Sequence, residues 1–321
     1  MKLAYLFLAV MVPLWSACSL VNHVALETTA EILSEASPEL ETEHNWQRFR
    51  LSVPSVLKTM EALWYSSPEN TNLLSSLTKG YGAYGYGVYE TLAISEILQD
   101  KESQPYKSQA IDYYGRAINY GLRFLKINGI TVASLRDALK DGKGLDLLEE
   151  KLDKDSQIDV EGAFFLGFSW FAYINLQRDQ TALVSQIYIA KGVIDWACRA
   201  QPQFRDGLCK VLAAAYETSR PKMLGGNPAK GAKLFIKAIK EHPNNLMIPI
   251  AYIQYSLIPA MNHKGYMKEK QALISKLAKS NGPMIPGAVS LSRRPTNNQL
   301  FNSIAKRRFH IISRFEKEIF E

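Results

Sequence analysis

The sequence predicts an all-α chain of irregular helical hairpins, stacked as an α-solenoid or superhelix, with long turns between helices and a C-terminal helix. Three observations predict it. The first is Met223-Leu224-Gly225-Gly226-Asn227-Pro228-Ala229-Lys230 and the residues that follow. Two glycines let the chain turn, Asn227 can cap a new helix, and Pro228 suits its first position because the missing N–H has no partner there. Gly231, Phe235 and Ala238 then share one helix face, and Pro243 ends the helix. The second is recurrence. Ala190, Ile194, Ala197 and Pro202 repeat the pattern, and both Ala197 to Ala238 and Pro202 to Pro243 span 41 residues. The third is Ala163–Tyr173, which is apolar all round and so is buried on every side or lines an apolar space.

The spacing small-x3-aromatic-x2-Ala-x4-Pro is the second-helix signature of a tetratricopeptide repeat. Leu212-Ala213-x-x-Tyr216 and Leu166-Gly167-x-x-Trp170 supply the matching first helices, and Ala110-x3-Tyr114-x2-Ala117 is a weaker third copy. Thr218–Gly226 exceeds an ordinary inter-helix turn. Such long turns either bind something or are simply solvated.

In chain order, Met1–Cys18 reads as an export signal: Lys2, an apolar run Leu3–Val12 too short to span a membrane, then Leu14-Trp15-Ser16-Ala17-Cys18. Small residues before a cysteine resemble a bacterial lipobox, although Trp15 stands where Leu is usual. Cys18 is therefore the expected lipidation site, with plain secretion as the alternative. An acyl chain would hold the domain at a membrane, at roughly 0.8 kcal/mol per buried CH2. The expected location is the cell envelope, facing the periplasm. Ser19 after the cysteine leaves inner and outer membrane both open. Residues 19–43 read as a leader and 44–321 as a single helical domain.

Helices are expected at Pro54–Trp64, with Val56, Met60 and Leu63 on one face, and at Thr71–Leu98. In the latter, Tyr81, Gly85 and Tyr89 form a stripe that is either core or the wall of a ligand cavity. Gln109–Leu125 is amphipathic. Residues 128–160 read as a solvated excursion containing a mixed-charge helix at Asp146–Asp155. Met247–Leu257 is a helix bounded by Pro249 and Pro259, and Lys264–Lys279 is amphipathic. Ser280–Asn298 reads as a loop before a basic helix Gln299–Phe320. Cys198 and Cys209 flank the turn Gln201–Asp206; in an oxidising compartment they either pair or remain buried free thiols.

The 321 residues, 47% of them hydrophobic, suffice for a core. The net charge of +7 is concentrated at the end, since Arg293, Arg294, Lys306, Arg307, Arg308, Arg314 and Lys317 face only Glu316, Glu318 and Glu321. No basic face interleaved with aromatics runs along the body, so no nucleic-acid partner is expected. His23, His44, His242, His263 and His310 have no metal-ligand spacing and no neighbouring nucleophile motif. Gly80, Gly82, Gly85 and Gly87 do not form a phosphate loop after a strand. No metal, cofactor or catalytic residue is expected, and the chain reads as a non-enzyme.

The chain resembles the TatT family, the tetratricopeptide-containing lipoproteins associated with TRAP transporters. The resemblance rests on Pro54–Trp64 followed by Leu73–Tyr89, on Tyr113–Leu125 with its Tyr-Tyr-Gly-Arg-Ala, and on Asp159–Trp170. It extends to the Leu224–Lys230 turn and to Ala305-Lys306-Arg307-Arg308. Leu234 stands where the family commonly has His, and Ser280–Asn298 diverges. The resemblance implies helical hairpins around a cavity or pore, a homo-oligomer (usually a trimer), and a TRAP-type periplasmic substrate-binding protein as partner, with a small carboxylate or hydrophobic ligand passed along. On this reading the cavity residues are Tyr81, Tyr84, Phe164, Phe165, Phe168 and Phe171, and the partner face is the turn Lys222, Met223, Leu224, Gly225, Gly226 and Asn227. The alternative is an envelope or cell-wall assembly scaffold that binds proteins through its repeats.

Overall fold

Helix α1 spans Trp46–Ser66, eight residues earlier than the sequence predicts, and carries Pro54 in its interior. The start is set by Asn45, whose side chain accepts from the N–H groups of Gln47 and Arg48. Its buried face is Phe49, Val53, Leu57 and Met60 rather than Val56, Met60 and Leu63. The structure is a computed structural model that describes residues 25, 27–34, 41–220, 222, 225–279 and 298–321. Among these residues there are helices and no strands, so the chain is all-α.

The stretch expected as one helix from Thr71 to Leu98 is α2 (Thr71–Tyr84), a π-helical turn over Gly85–Glu90, and α3 (Thr91–Leu98). Gly85 and Gly87 leave no room for larger side chains at this turn. A Cβ would meet the ring of Tyr114 at 3.2 Å in the first case and Ile304 Cδ1 at 2.9 Å in the second. Helix α4 (Pro105–Ile127) starts with proline at its first position. Residues 128–160 are not a solvated excursion. They fold into α5 (Val132–Lys140) and α6 (Gly144–Lys151), whose Leu135 and Leu148 are fully buried. The two helices hide one leucine each beneath a charged surface, which a composition-based reading averages away.

Helix α7 (Gln157–Asn175) is the hub. It packs on α2, on α4 and on α9 (Ile187–Ala200), and α2 and α4 also pack on each other. The short α8 (Thr181–Val184) lies between α7 and α9. The close approach of α7 to α9 depends on the small residues that the repeat pattern singled out: a Cβ at Gly167 would lie 2.8 Å from the carbonyl oxygen of Ala190.

Helices α10 (Leu208–Thr218) and α11 (Pro228–Glu241) pair in the same way, with Gly231 against Ala214 and Phe235 and Ala238 fully buried. Between α9 and α10, Cys198 and Cys209 are joined by a disulfide. It closes a loop in which Arg205, Asp206 and Gly207 are all left-handed.

Helix α12 (Met247–Tyr252) runs into a second π turn, Ile253–Leu257. Then come α13 (His263–Lys279), α14 (Gln299–Arg314) and α15 (Glu316–Phe320), so the expected closing helix is broken at Phe315. Helix α14 returns to pack against α1, α3 and α12. Of the expected Ser280–Asn298 loop, only Asn298 falls within the described residues. Cys18 lies outside them.

Candidate functional site

An apolar cavity of about 140 Å³ runs beside α7. Helix α7 contributes Phe164, Phe165, Phe168 and Phe171. Helix α1 contributes Phe49, Val53, Leu57 and Met60, and α10 adds Leu208, Val211, Leu212 and Ala215. Met247 of α12 and Leu300, Phe301 and Ile304 of α14 complete it. A space with such walls offers water few hydrogen-bond partners and favours an apolar occupant. The four phenylalanines are legible in the sequence through the all-round apolarity of α7. The contributions of α1, α10 and α14 are not, because their apolar stripes read as ordinary core faces.

Tyr81 and Tyr84 are not part of the wall. Residues of α2 that reach it are Ser76, Lys79, Gly80 and Ala83, followed by Tyr86. Tyr81 and Tyr84 lie around the helix from that face, toward α1 and α4. The hydroxyl of Tyr81 donates to Glu61 Oε1 at 2.5 Å, and that of Tyr84 donates to the carbonyl of Arg50 at 2.7 Å. Their rings join Tyr89, Tyr113 and Tyr120 in a cluster of aromatic contacts. Burial pushes the Tyr113 phenol up to about 12, with Tyr89 adding to the effect. Burial also pushes Glu61 up, but hydrogen bonds from Lys58, Tyr81 and Tyr120 outweigh it and leave its carboxyl below the ordinary value.

Polar groups stand at both ends of the cavity. At one end Lys79 Nζ pairs with Glu41 Oε1 at 2.9 Å and with Glu161 Oε2 at 3.1 Å, and Arg205 pairs with the same two carboxylates. Burial pushes the Glu161 carboxyl up, but Lys79 and Arg205 more than reverse this and hold it below its usual range. The disulfide-closed loop thus delivers a cation that ties the segment before α1 to α7.

At the other end the two π turns meet. The fully buried Arg308 of α14 donates to Thr91 Oγ1 at 3.0 Å, Gln254 Oε1 at 2.8 Å, the carbonyl of Tyr86 at 2.9 Å and Glu90 Oε1 at 3.1 Å. Glu90 also accepts from the hydroxyls of Tyr114 at 2.5 Å and Tyr255 at 3.0 Å. Burial opposes the Arg308 charge, but Tyr86 and Glu90 outweigh it and keep the guanidinium protonated. π turns recur at functional places in helices, and here both present residues to one arginine.

The expected partner face is a turn in which Gly225 has φ +76° and Gly226 sits against the chain, where a Cβ would lie 1.9 Å from Arg220 O. Asn227 caps α11 by accepting from Lys230 N at 3.0 Å, and its own N–H donates to Glu217 O at 3.0 Å. Lys222 is exposed. Met223 and Leu224 lie outside the described residues. None of the described turn residues lines the cavity.

The model of the TRAP transporter T-component family (TAtT) matches residues 46–320. The chain belongs to that family. The T-component match takes in every helix named above and, apart from Glu41, the cavity wall and both polar ends. A comparison with curated proteins returns no match. The family is that of a TRAP transporter component, so this T-component is associated with TRAP transport. No helix among its described residues is long and apolar enough to cross a membrane. No group of His, Cys, Asp and Glu among them could hold a metal ion.

Proposed function

We propose that this T-component is a lipid-anchored adaptor facing the periplasm, which associates with a TRAP-type substrate-binding protein and conveys a small carboxylate or hydrophobic ligand through its apolar cavity. The observation that carries this reading is the cavity itself, walled by α1, α7, α10 and α14, in a chain of the TRAP T-component family. The anchor is Cys18, the residue at which the signal of residues 1–18 ends, ahead of a leader at 19–43 and a tetratricopeptide-like domain at 44–321. The partner would engage the turn at residues 222–227, and the working form would be a homo-oligomer, a trimer by family resemblance.

The cavity half of this reading is tested by titrating the mature chain with the uncharged dye N-phenyl-1-naphthylamine. Binding with a fluorescence rise is expected, and Phe168→Asp, which sets a carboxylate among Phe165, Tyr86 and Tyr114, should weaken it by more than tenfold. Equal dye binding by a folded Phe168→Asp variant would overturn the assignment of the cavity.

A further inference from the structure

A second space, a cleft of about 440 Å³, adjoins the apolar cavity, and the two share Asn175 and Tyr255 in their walls. Four elements pass from one space to the other in chain order. Helix α7 gives Phe171 to the cavity and Arg178, just past its end, to the cleft. Helix α10 gives Ala215 and then Ser219, just past its end. The α2–α3 segment gives Tyr86 and then Ile94, and α14 gives Ile304 and then Ile312. Cavity and cleft therefore lie along one axis, with Asn175 and Tyr255 between them. Tyr255 is fixed there by its bond to Glu90, which the buried Arg308 holds in turn.

The two ends of this axis differ in charge. At the far end Lys79 and Arg205 are matched by Glu41 and Glu161. In the cleft Glu90 is already engaged by Arg308, Tyr114 and Tyr255. Lys107 and Arg178 line the cleft with no ion-pair partner among the described residues; the exposed Asp179 shares the cleft wall, and the buried Glu96 carboxylate is taken up by the N–H groups of Tyr106 and Lys107. The Ser219 hydroxyl also lines it, and its oxygen is buried with no hydrogen-bond partner among the described residues.

We propose that the cleft is a head-group site for an anionic amphiphile, with Lys107, Arg178 and the Ser219 hydroxyl receiving the anion and the tail passing Tyr255 into the apolar cavity. This rests on the cavity reading above and assigns the ligand its orientation. A carboxylate, sulfonate or phosphate head meets the same two cations and one hydroxyl, while the cavity accepts only the hydrocarbon.

The test displaces N-phenyl-1-naphthylamine from the mature chain with decanoate and with 1-decanol, which share a tail and differ in head charge. Decanoate should bind on the order of tenfold more tightly than decanol. The surface double variant Lys107→Gln/Arg178→Gln should bring the two within about twofold by weakening decanoate alone. Equal affinities in the unmodified chain, or a preference that survives the double variant, would overturn the proposal while leaving the cavity reading intact. So would a preference lost in Lys79→Gln instead. If neither compound displaces the dye, the cavity reading falls and this proposal with it.

Discussion

Replacing Arg308 with methionine removes a charge from a site with no access to water. Four donated bonds disappear, to Thr91, Gln254, the Tyr86 carbonyl and Glu90, and the cation over the Tyr86 ring at 3.6 Å is lost as well. Removing one partner of a buried ion pair costs about 3–5 kcal/mol, because the other charge is left behind. Glu90 keeps the hydroxyls of Tyr114 and Tyr255, which places Arg308→Met near the lower end, about 3 kcal/mol. For a chain of this size each kcal/mol moves Tm by about 1.5 °C, so a fall of roughly 4–5 °C is expected in thermal unfolding followed by circular dichroism. Adding Glu90→Gln removes the stranded charge. The double variant should therefore be less destabilised than the two single variants added together, by at least about 1 kcal/mol. If Arg308→Met lowers Tm by less than about 2 °C, the pair does not hold the two π turns together and the reasoning fails.

The other predictions concern packing, the loop and acid. Gly167→Ala drives a Cβ to within 2.8 Å of the Ala190 carbonyl oxygen and should cost about 1–3 kcal/mol. Gly115→Ala, whose nearest contact would be Tyr173 Cε2 at 3.8 Å, should instead be neutral or stabilise α4 by up to about 1 kcal/mol. Urea titration of both variants checks the contrast. Reducing the disulfide between Cys198 and Cys209, 11 positions apart, should lower stability by about 2–3 kcal/mol through loop entropy, read as a Tm shift with and without dithiothreitol. Glu161 has a folded-state pKa below its reference of 4.5, so the stability it contributes is complete above that reference and is lost as pH falls through the lowered value. Glu161→Gln should accordingly flatten the acid limb of a Tm-versus-pH series; an unchanged limb would show that Lys79 and Arg205 do not stabilise the carboxylate.

How far the sequence reaches depends on what each residue answers to. Local rules place Asn227, Pro228, Gly231 and Phe235 correctly, because a cap, a first-turn proline and a packing face are all set within one helix. The same periodicity, read at Ala110, Tyr114 and Ala117, picks out residues that are fully buried. The all-round apolarity of α7 marks both the hub of the fold and four residues of the cavity wall. The π turns were not legible: an extra residue in a helical turn leaves no signature in a one-dimensional pattern. Tyr86 follows Lys79 and Ala83 at ordinary helical spacing, whereas Tyr81 and Tyr84 fall on other faces, so a stripe of tyrosines misleads about which of them reaches the cavity. Arg308 read as one more charge in a basic tail, since its partners Thr91 and Glu90 are more than two hundred residues away. The ion cluster of Glu41, Lys79, Glu161 and Arg205 draws on four separate segments and is invisible for the same reason.

The proposed role as an adaptor of a TRAP uptake system can be read from affinity purification from solubilised envelopes with the mature chain as bait. A TRAP-type substrate-binding protein should co-purify in stoichiometric amount. Recovery of cell-wall enzymes or outer-membrane assembly factors with no solute-binding protein would contradict that role and favour an assembly scaffold.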